Sequence, residues 1–333
     1  QTITLVNPIL DQVADYPAAP IGQTNQVTWQ NALGAYLSDQ IKVGDKLNIS
    51  AGVRRDRQRV HGTNSLAPAL TTFATELKAN TRQLGAVYAL TPQISAYGSW
   101  SESIKPQTNI AYDVNGNSSF PPETGEQYEG GLKFSTPSRN ANLSIAAYEI
   151  NRTNVLVPSG TNFTTAVGSA QVGQAISRLD GRQTSKGIEI EVQWQPKANW
   201  QMQAGYANSK ATITASTKNP TTVGLDLANA PRISGNFWTR YNFAQGPLKG
   251  LGLGSGVIVV GKAWAGDPTT AVYYTLPGWA RVDCSAYYKL GRYNLALNAQ
   301  NALDRRYIAS AQSALTLNIA EQRKFTLSIS TKL

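Results

Sequence analysis

The sequence predicts an all-β fold, a transmembrane antiparallel up-and-down β-barrel. Three observations carry this: period-two alternation along nearly the whole chain, connectors that alternate between short and long, and aromatics gathered beside the short ones. Composition agrees. Of 333 residues, 41% are hydrophobic and 15% charged. Gly, Asn, Gln, Ser, Thr and Tyr carry much of the polarity, as strands, turns and wet surfaces require.

Taken in order, residues 1–8 (QTITLVNP) read as one end of a strand, followed by 28–43 and 46–60. In KLNISAGVR, Leu47, Ile49, Ala51 and Val53 share a face. Strands at 72–91, 93–112, 123–137 and 140–157 follow. In 180–196, Ile188, Ile190, Val192 and Trp194 oppose Glu189, Glu191, Gln193 and Gln195. The next strands are 199–215, 227–243, 250–264 and 277–289. In 292–313, Tyr293, Leu295, Leu297 and Ala299 share the apolar face, and 321–333 ends the chain with Phe325, Leu327, Ile329 and Leu333 on one side. No helical period competes over comparable length.

The links VGDK, LTPQ, TPSRN, QPKAN, AQGPLKG and KLGR are short. Those between them, at 9–27, 61–71, 113–122, 158–179, 216–226, 265–276 and 314–320, are mostly long. Short turns at one end and long loops at the other are the pattern of an outer-membrane barrel. Trp194 and Trp200 flank QPKAN, Tyr288 and Tyr293 flank KLGR, and Tyr241 and Phe243 precede AQGPLKG. Amphipathic rings concentrate where lipid meets water. The competing fold, a soluble antiparallel sandwich with one face in a core, rarely keeps strands this long with every short turn at one end.

Cys284 is the single cysteine and His61 the single histidine, so an intrachain disulfide or a Cys/His zinc site is excluded. The balance of 30 basic against 20 acidic residues suits anionic ligands, lipid phosphates or nucleic acid without choosing among them. No apolar run reaches the roughly 18 residues of a transmembrane helix. The chain opens on Gln1 without a basic-then-apolar leader, and Met202 is the one methionine, as expected of a mature product or a fragment.

The stretches PETGEQYEGGLKF (122–134), NLSIAAYEINRTNVLVP (142–158), SKGIEIEVQWQP (185–196), NAPRISGNFWTRYNF (229–243), LPGWARVDCSAYYKL (276–290) and NLALNAQNALDRRYIAS (294–310) together resemble the C-terminal barrel of TonB-dependent siderophore receptors. GAYLSDQIKVGDKLNISAGVRRD (34–56) and YALTPQISAYGSWSESIKPQT (88–108) are similar to earlier strands of the same barrel. The resemblance implies about 13–14 strands of a 22-stranded barrel, with the plug domain and early strands lying outside this chain. It also implies that Asn301, Leu303, Asp304 and Tyr307 match a signal inside the penultimate strand, read here as a bulge. Leu333 departs from the aromatic that usually ends such barrels, and the basic balance departs from the family's usual charge.

From the resemblance follow an outer-membrane location in a Gram-negative cell, a monomer, a ferric siderophore as cargo, and energy from TonB–ExbB–ExbD acting through the plug. No catalysis, cofactor or nucleic acid is implied. Glu129, Glu189 and Glu191 share the inward face and are expected to meet plug arginines, a hydrated wall being the bland alternative. In RRDRQRVH (54–61), Arg55, Arg57 and Arg59 point outward, toward lipopolysaccharide phosphates or a solvated loop base. Ligand capture is expected from Tyr112, Phe163, Arg178, Arg182, Trp264, Tyr273 and Tyr274, whose rings and guanidinium groups suit an anionic iron chelate.

Several motifs carry nothing. GVIVVGKA (256–263) has phosphate-loop spacing, but Ala263 replaces the Ser/Thr and the run reads as strand. GLGLGSG (250–256) puts glycine on alternate positions of one face, as a thin lumen wall. DVNGN (113–117) lacks the later glutamate of a calcium loop, Thr124 standing at its twelfth position. A hydrolase using His61 would need a placed nucleophile and orienter. Two other functions remain: a self-contained plugless diffusion pore, and a soluble carbohydrate-binding β protein.

Overall fold

The computed structural model describes residues 26–64, 71–107, 111–168, 170, 172–216, 220–266, 273–313 and 316–331. The strand expected at 1–8, the loop at 9–25 and Leu333 lie outside them.

Thirteen strands form one antiparallel sheet in which each pairs with its neighbour along the chain. They are β1 (Gln26–Val43), β2 (Leu47–Asn64), β3 (Thr71–Ala89), β4 (Ile94–Lys105), β5 (Glu123–Ser135), β6 (Ala141–Asn162), β7 (Ala175–Lys197), β8 (Trp200–Ala215), β9 (Ile233–Asn242), β10 (Leu251–Val260), β13 (Trp279–Leu290), β14 (Tyr293–Gln300) and β17 (Lys324–Thr331). Two hairpins stand apart at the loop end: β11 (Ala263–Gly266) with β12 (Tyr273–Leu276), and β15 (Ile308–Ser313) with β16 (Thr316–Ile319). The only other regular element among the described residues is one 3-10 turn, Pro220–Thr222.

Pairing fixes the faces, because residues directly opposite across a ladder point the same way. Leu37 opposes Val53, Ile41 opposes Ile49 and Leu47 opposes Tyr88. Ile145 opposes Ile190, Phe237 opposes Val257, and Leu297 opposes Leu327. This apolar face is open: Leu33, Leu37, Val53, Leu84, Ile145, Phe237 and Leu327 are all exposed. A sheet whose hydrophobic side meets no protein layer needs lipid against it, and within lipid its backbone groups must be paired by neighbouring strands.

The short turns are held locally. Gly291, in KLGR, has φ 56°, a conformation few side chains tolerate. In LTPQ the Thr91 hydroxyl accepts from the amides of Gln93 (3.2 Å) and Ile94 (3.0 Å). The aromatics beside these turns pack edge to face, Trp200 on Tyr241 at 6.3 Å and Tyr241 on Phe243 at 5.1 Å.

The structure corrects the sequence reading at the loop end. Residues 227–232 precede β9 instead of belonging to it, and the strand expected at 250–264 breaks between β10 and β11. Segments 265–276 and 314–320, expected as loops, contain β12 and β16. QNALDRRYIAS is a turn between β14 and β15, and not a bulge within one strand. Asn301 (φ 51°) and Asp304 (φ 52°) reverse the backbone there, which ends the ladder outright.

Candidate functional site

The polar face and the loop end are where a ligand would meet this chain. Glu129, Glu189 and Glu191 stand on the polar face, opposite Tyr148, Ala146 and Ser144 of β6. The Tyr97 hydroxyl (2.7 Å) and the Gln127 amide (3.0 Å) donate to Glu129. Glu189 and Glu191 are exposed and make no hydrogen bond or ion pair among the described residues.

Toward the loops the same face carries a network that sequence reasoning missed. Glu123 is 7% exposed and opposes Lys105. Its Oε2 accepts from Arg152 through Nε (2.8 Å) and Nη2, with Lys105 Nζ at 3.8 Å, while Arg152 Nη1 donates to Gln183 (3.0 Å). Two cations on one carboxylate leave net positive charge at the loop end. Spacing gives no hint of it, because the three charges come from β4, β5 and β6 and meet only when the register is known.

Arg55, Arg57 and Arg59 lie on the apolar face, with Arg55 opposite Ala35 and Arg57 opposite Leu33, beyond the apolar stretch 47–53. Glu76 accepts from Arg57 (2.7 Å) and Arg59 (3.3 Å) and has Lys78 at 3.3 Å. His61, at the upper end of this row, stacks on Trp29 with ring centroids 5.3 Å apart.

The loop-end candidates separate into distinct settings. Tyr112 and Phe163, 3% and 5% exposed, form a small core with Ala170, against which Val167 and Ile176 pack. Burial pushes the Tyr112 phenol up despite the Gln174 side chain. Contact with a ligand would require both rings to leave this cluster. Arg178 pairs with Asp180 at 3.0 Å, and Arg182 is exposed. Tyr274 packs against a second core of Ala265, Leu276 and Ala311, with Ile308 and Leu317, which joins the two small hairpins. Of Tyr273 the backbone pairing to Gly266 is described. Trp264 lines a cavity of about 370 Å³ with Asp226, Arg232, Lys262 and Thr275. Ile233, on the apolar face, is part of the same wall.

Asparagines fasten the loops. Asn229 (φ 57°) accepts from the Ala311 amide (2.9 Å) and donates to its carbonyl (2.8 Å), supplying from a side chain what a strand neighbour would give. Asn301, 1% exposed, donates to the carbonyls of Arg305 (2.9 Å) and Glu321 (3.2 Å) and accepts from the Arg305 amide (2.9 Å). Asp304 accepts from the Arg323 amide (2.8 Å), and Tyr307 stacks on Trp279 at 4.3 Å. The Asn-x-x-Asp-x-x-Tyr signal is therefore the clamp that redirects the chain from wall to loop.

DVNGN closes as a turn on its own side chain. Asp113 accepts from the amides of Asn115 (2.9 Å) and Asn117 (2.8 Å) and from the Asn117 side chain (3.1 Å). Burial raises this carboxyl, but the bonds from Asn117 and Asn115 outweigh it and hold it below the usual aspartate range. No group of acidic, His and Cys side chains among the described residues is arranged to hold a metal ion.

Comparison with known proteins agrees with this architecture. The family described as TonB dependent receptor-like, beta-barrel, matches residues 6–302. The metal-pseudopaline receptor CntO of Pseudomonas aeruginosa is 28% identical over 321 residues, 94% of this chain and 42% of that protein. The ferrichrome outer membrane transporter/phage receptor of Escherichia coli is 30% identical over 288 residues, 84% of this chain and 35% of that protein. The siderophore receptor PiuA from Acinetobacter baumannii superposes with a TM-score of 0.74 at 22% identity, over 91% of this chain and 43% of that one. The chain spans less than half the length of these relatives. With the family matched across most of its length, this chain belongs to the TonB-dependent receptor β-barrels of the outer membrane.

Proposed function

We propose that this chain is the C-terminal barrel part of a receptor that imports a ferric siderophore or a similar metal chelate. One observation carries the reading. The relatives named for a cargo share its chemistry across dissimilar molecules: metal-pseudopaline, ferrichrome, ferrioxamine B and ferripyoverdine. The excess cation of the Lys105–Glu123–Arg152 network gives an anionic chelate a reason to settle at the outer mouth. Arg178, Arg182, Trp264, Tyr273 and Tyr274, spread over separate settings at the loop end, are the residues this reading assigns to capture of the chelate.

In this reading the polar face lines a lumen filled by a plug. Glu189 and Glu191, without hydrogen-bond or ion-pair partners among the described residues, receive plug arginines in this reading, with Glu129 alongside. TonB–ExbB–ExbD acts through that plug. Arg55, Arg57 and Arg59 meet lipopolysaccharide phosphates, since among the described residues Arg57, Arg59 and Lys78 share the one carboxylate of Glu76 and Arg55 has no ion pair.

The test is uptake of iron-loaded hydroxamate chelates by iron-starved cells of the native source, with and without collapse of the proton gradient. Saturable uptake that stops on collapse, and is lost on deleting the locus, is expected. Steady, unsaturable leakage indifferent to the gradient would instead establish a passive pore.

A further inference from the structure

Toward the short-turn end, the polar face between β9 and β13 has a feature the transport reading does not use. Gly252, Gly254 and Gly256 sit on that face of β10, opposite Asn242, Arg240 and Trp238 on one side and Tyr287, Ser285 and Asp283 on the other. A Cβ on Gly254 would lie 2.6 Å from Ser285 Oγ and 2.8 Å from Trp238 Cζ2, and one on Gly256 would collide with the Trp238 ring. The glycine row is thus a trough, and the neighbouring side chains lie across it.

Arg240 crosses the trough. Its guanidinium carbon stands 3.8 Å from the Tyr287 ring centroid, and its Nε donates to Asn242 Oδ1 at 3.0 Å. Among the described residues no carboxylate pairs with it, and its terminal nitrogens make no hydrogen bond. Across Gly254 from it, Ser285 is 6% exposed, and its Oγ has no hydrogen-bond partner among the described residues. The nearest acid of the wall, Asp283, is already engaged by Arg281 (2.9 Å) and by the Asn301 amide (2.8 Å). A cation held flat by an aromatic ring, next to a buried hydroxyl left unsatisfied, is a half-built anion site. A planar carboxylate suits it, with its oxygens facing the terminal guanidinium nitrogens and the hydroxyl donating to one of them. A phosphate dianion would call for more than one cation.

We propose that this trough is a carboxylate-binding site, occupied by an Asp or Glu side chain of the polypeptide segment that fills the lumen. The inference rests on the lumen reading of the polar face given above. A free acid group of a transported chelate has the same chemistry and is separated by the test.

The test uses the whole receptor in outer membranes of its native source, carrying Arg240→Lys and treated with a zero-length carbodiimide. The coupling joins the lysine amine to a carboxyl with loss of one water, which the carbodiimide takes up as a urea. Peptide mass mapping is expected to find one new link, from position 240 to an acidic residue outside the wall, absent from wild type and from Arg240→Gln. A link to added chelate in its place would keep the site and change its occupant. A link to Asp283 alone, or no link in a barrel that keeps its heat-modifiable gel mobility, would overturn the proposal. Should Arg240→Lys fail to fold, Gln201→Lys, directly opposite Arg240 on the side away from the glycine row, puts an amine next to the intact guanidinium and is expected to give the same link. Intact chelate uptake without any link sinks only the trough, whereas loss of saturable uptake in wild type sinks the lumen reading itself.

Discussion

Replacing Asn301 by alanine tests how the wall is joined to its loops. The side-chain amide makes three hydrogen bonds to backbone groups, two to Arg305 and one to Glu321, at a position 1% exposed. At about 1 kcal/mol each they amount to about 3 kcal/mol. Its φ of 51° adds about 1 kcal/mol for alanine, which tolerates the left-handed region less well than asparagine. Asn301→Ala is therefore expected to destabilise the turn by about 4 kcal/mol, Asn301→Gly by about 3 kcal/mol. The loss is local, because β14 keeps its ladders to β13 and β17. Limited trypsin digestion of outer membranes reads it directly at Arg305 and Arg306. With opening fast relative to cleavage, 4 kcal/mol corresponds to about a thousandfold rise in cleavage rate. A rise below about threefold, with the barrel still folded, would mean that the amide is not what holds the turn.

Face assignment is checked by Phe237→Arg, expected to cost about 2–4 kcal/mol in urea-dependent folding into phospholipid vesicles, against less than about 0.5 kcal/mol for Gln203→Arg on the polar face. Equal costs would refute the assignment. Arg152→Gln leaves the buried Glu123 with Lys105 alone and is expected to lower stability by about 1–2 kcal/mol, the smaller end reflecting the 39% exposure of Arg152. It should also weaken binding of an anionic chelate, read by titration of the whole receptor. The Asp113 carboxyl titrates below its ordinary value in the folded turn, so its contribution is complete above that value and is lost as pH falls through the lowered one. Protection of the Asn115 and Asn117 amides from exchange, measured against the intrinsic rate at each pH, is expected to fall in acid, and Asp113→Asn should abolish that dependence.

The wall was legible because it obeys one rule. Alternation in β2, β7 and β14 names their faces, and the structure keeps Ile188, Ile190, Val192 and Trp194 on the side opposite Glu189 and Glu191. The arginine row at 55, 57 and 59 fell on the apolar face for the same reason. The loop end was less legible. Whether Tyr112 and Phe163 face a ligand or each other depends on a contact between two loops separated by β5 and β6. The Lys105–Glu123–Arg152 network depends on register, which a period of two leaves free to slide until the turns pin it.

The same contrast explains which residues stand out in the sequence. Within the wall each backbone group finds its partner in the next strand, so a side chain need only match its face. Past the last ladder that supply ends, and side chains must replace it. Asn229 gives Ala311 both a donor and an acceptor, Asn301 does so for Arg305, and Asp304 takes the Arg323 amide. Asparagine and aspartate combine short polar side chains with tolerance of positive φ, which all three adopt here. The motif at 301–307 is conspicuous because the chain there passes from a structure indifferent to side-chain identity to one built from it.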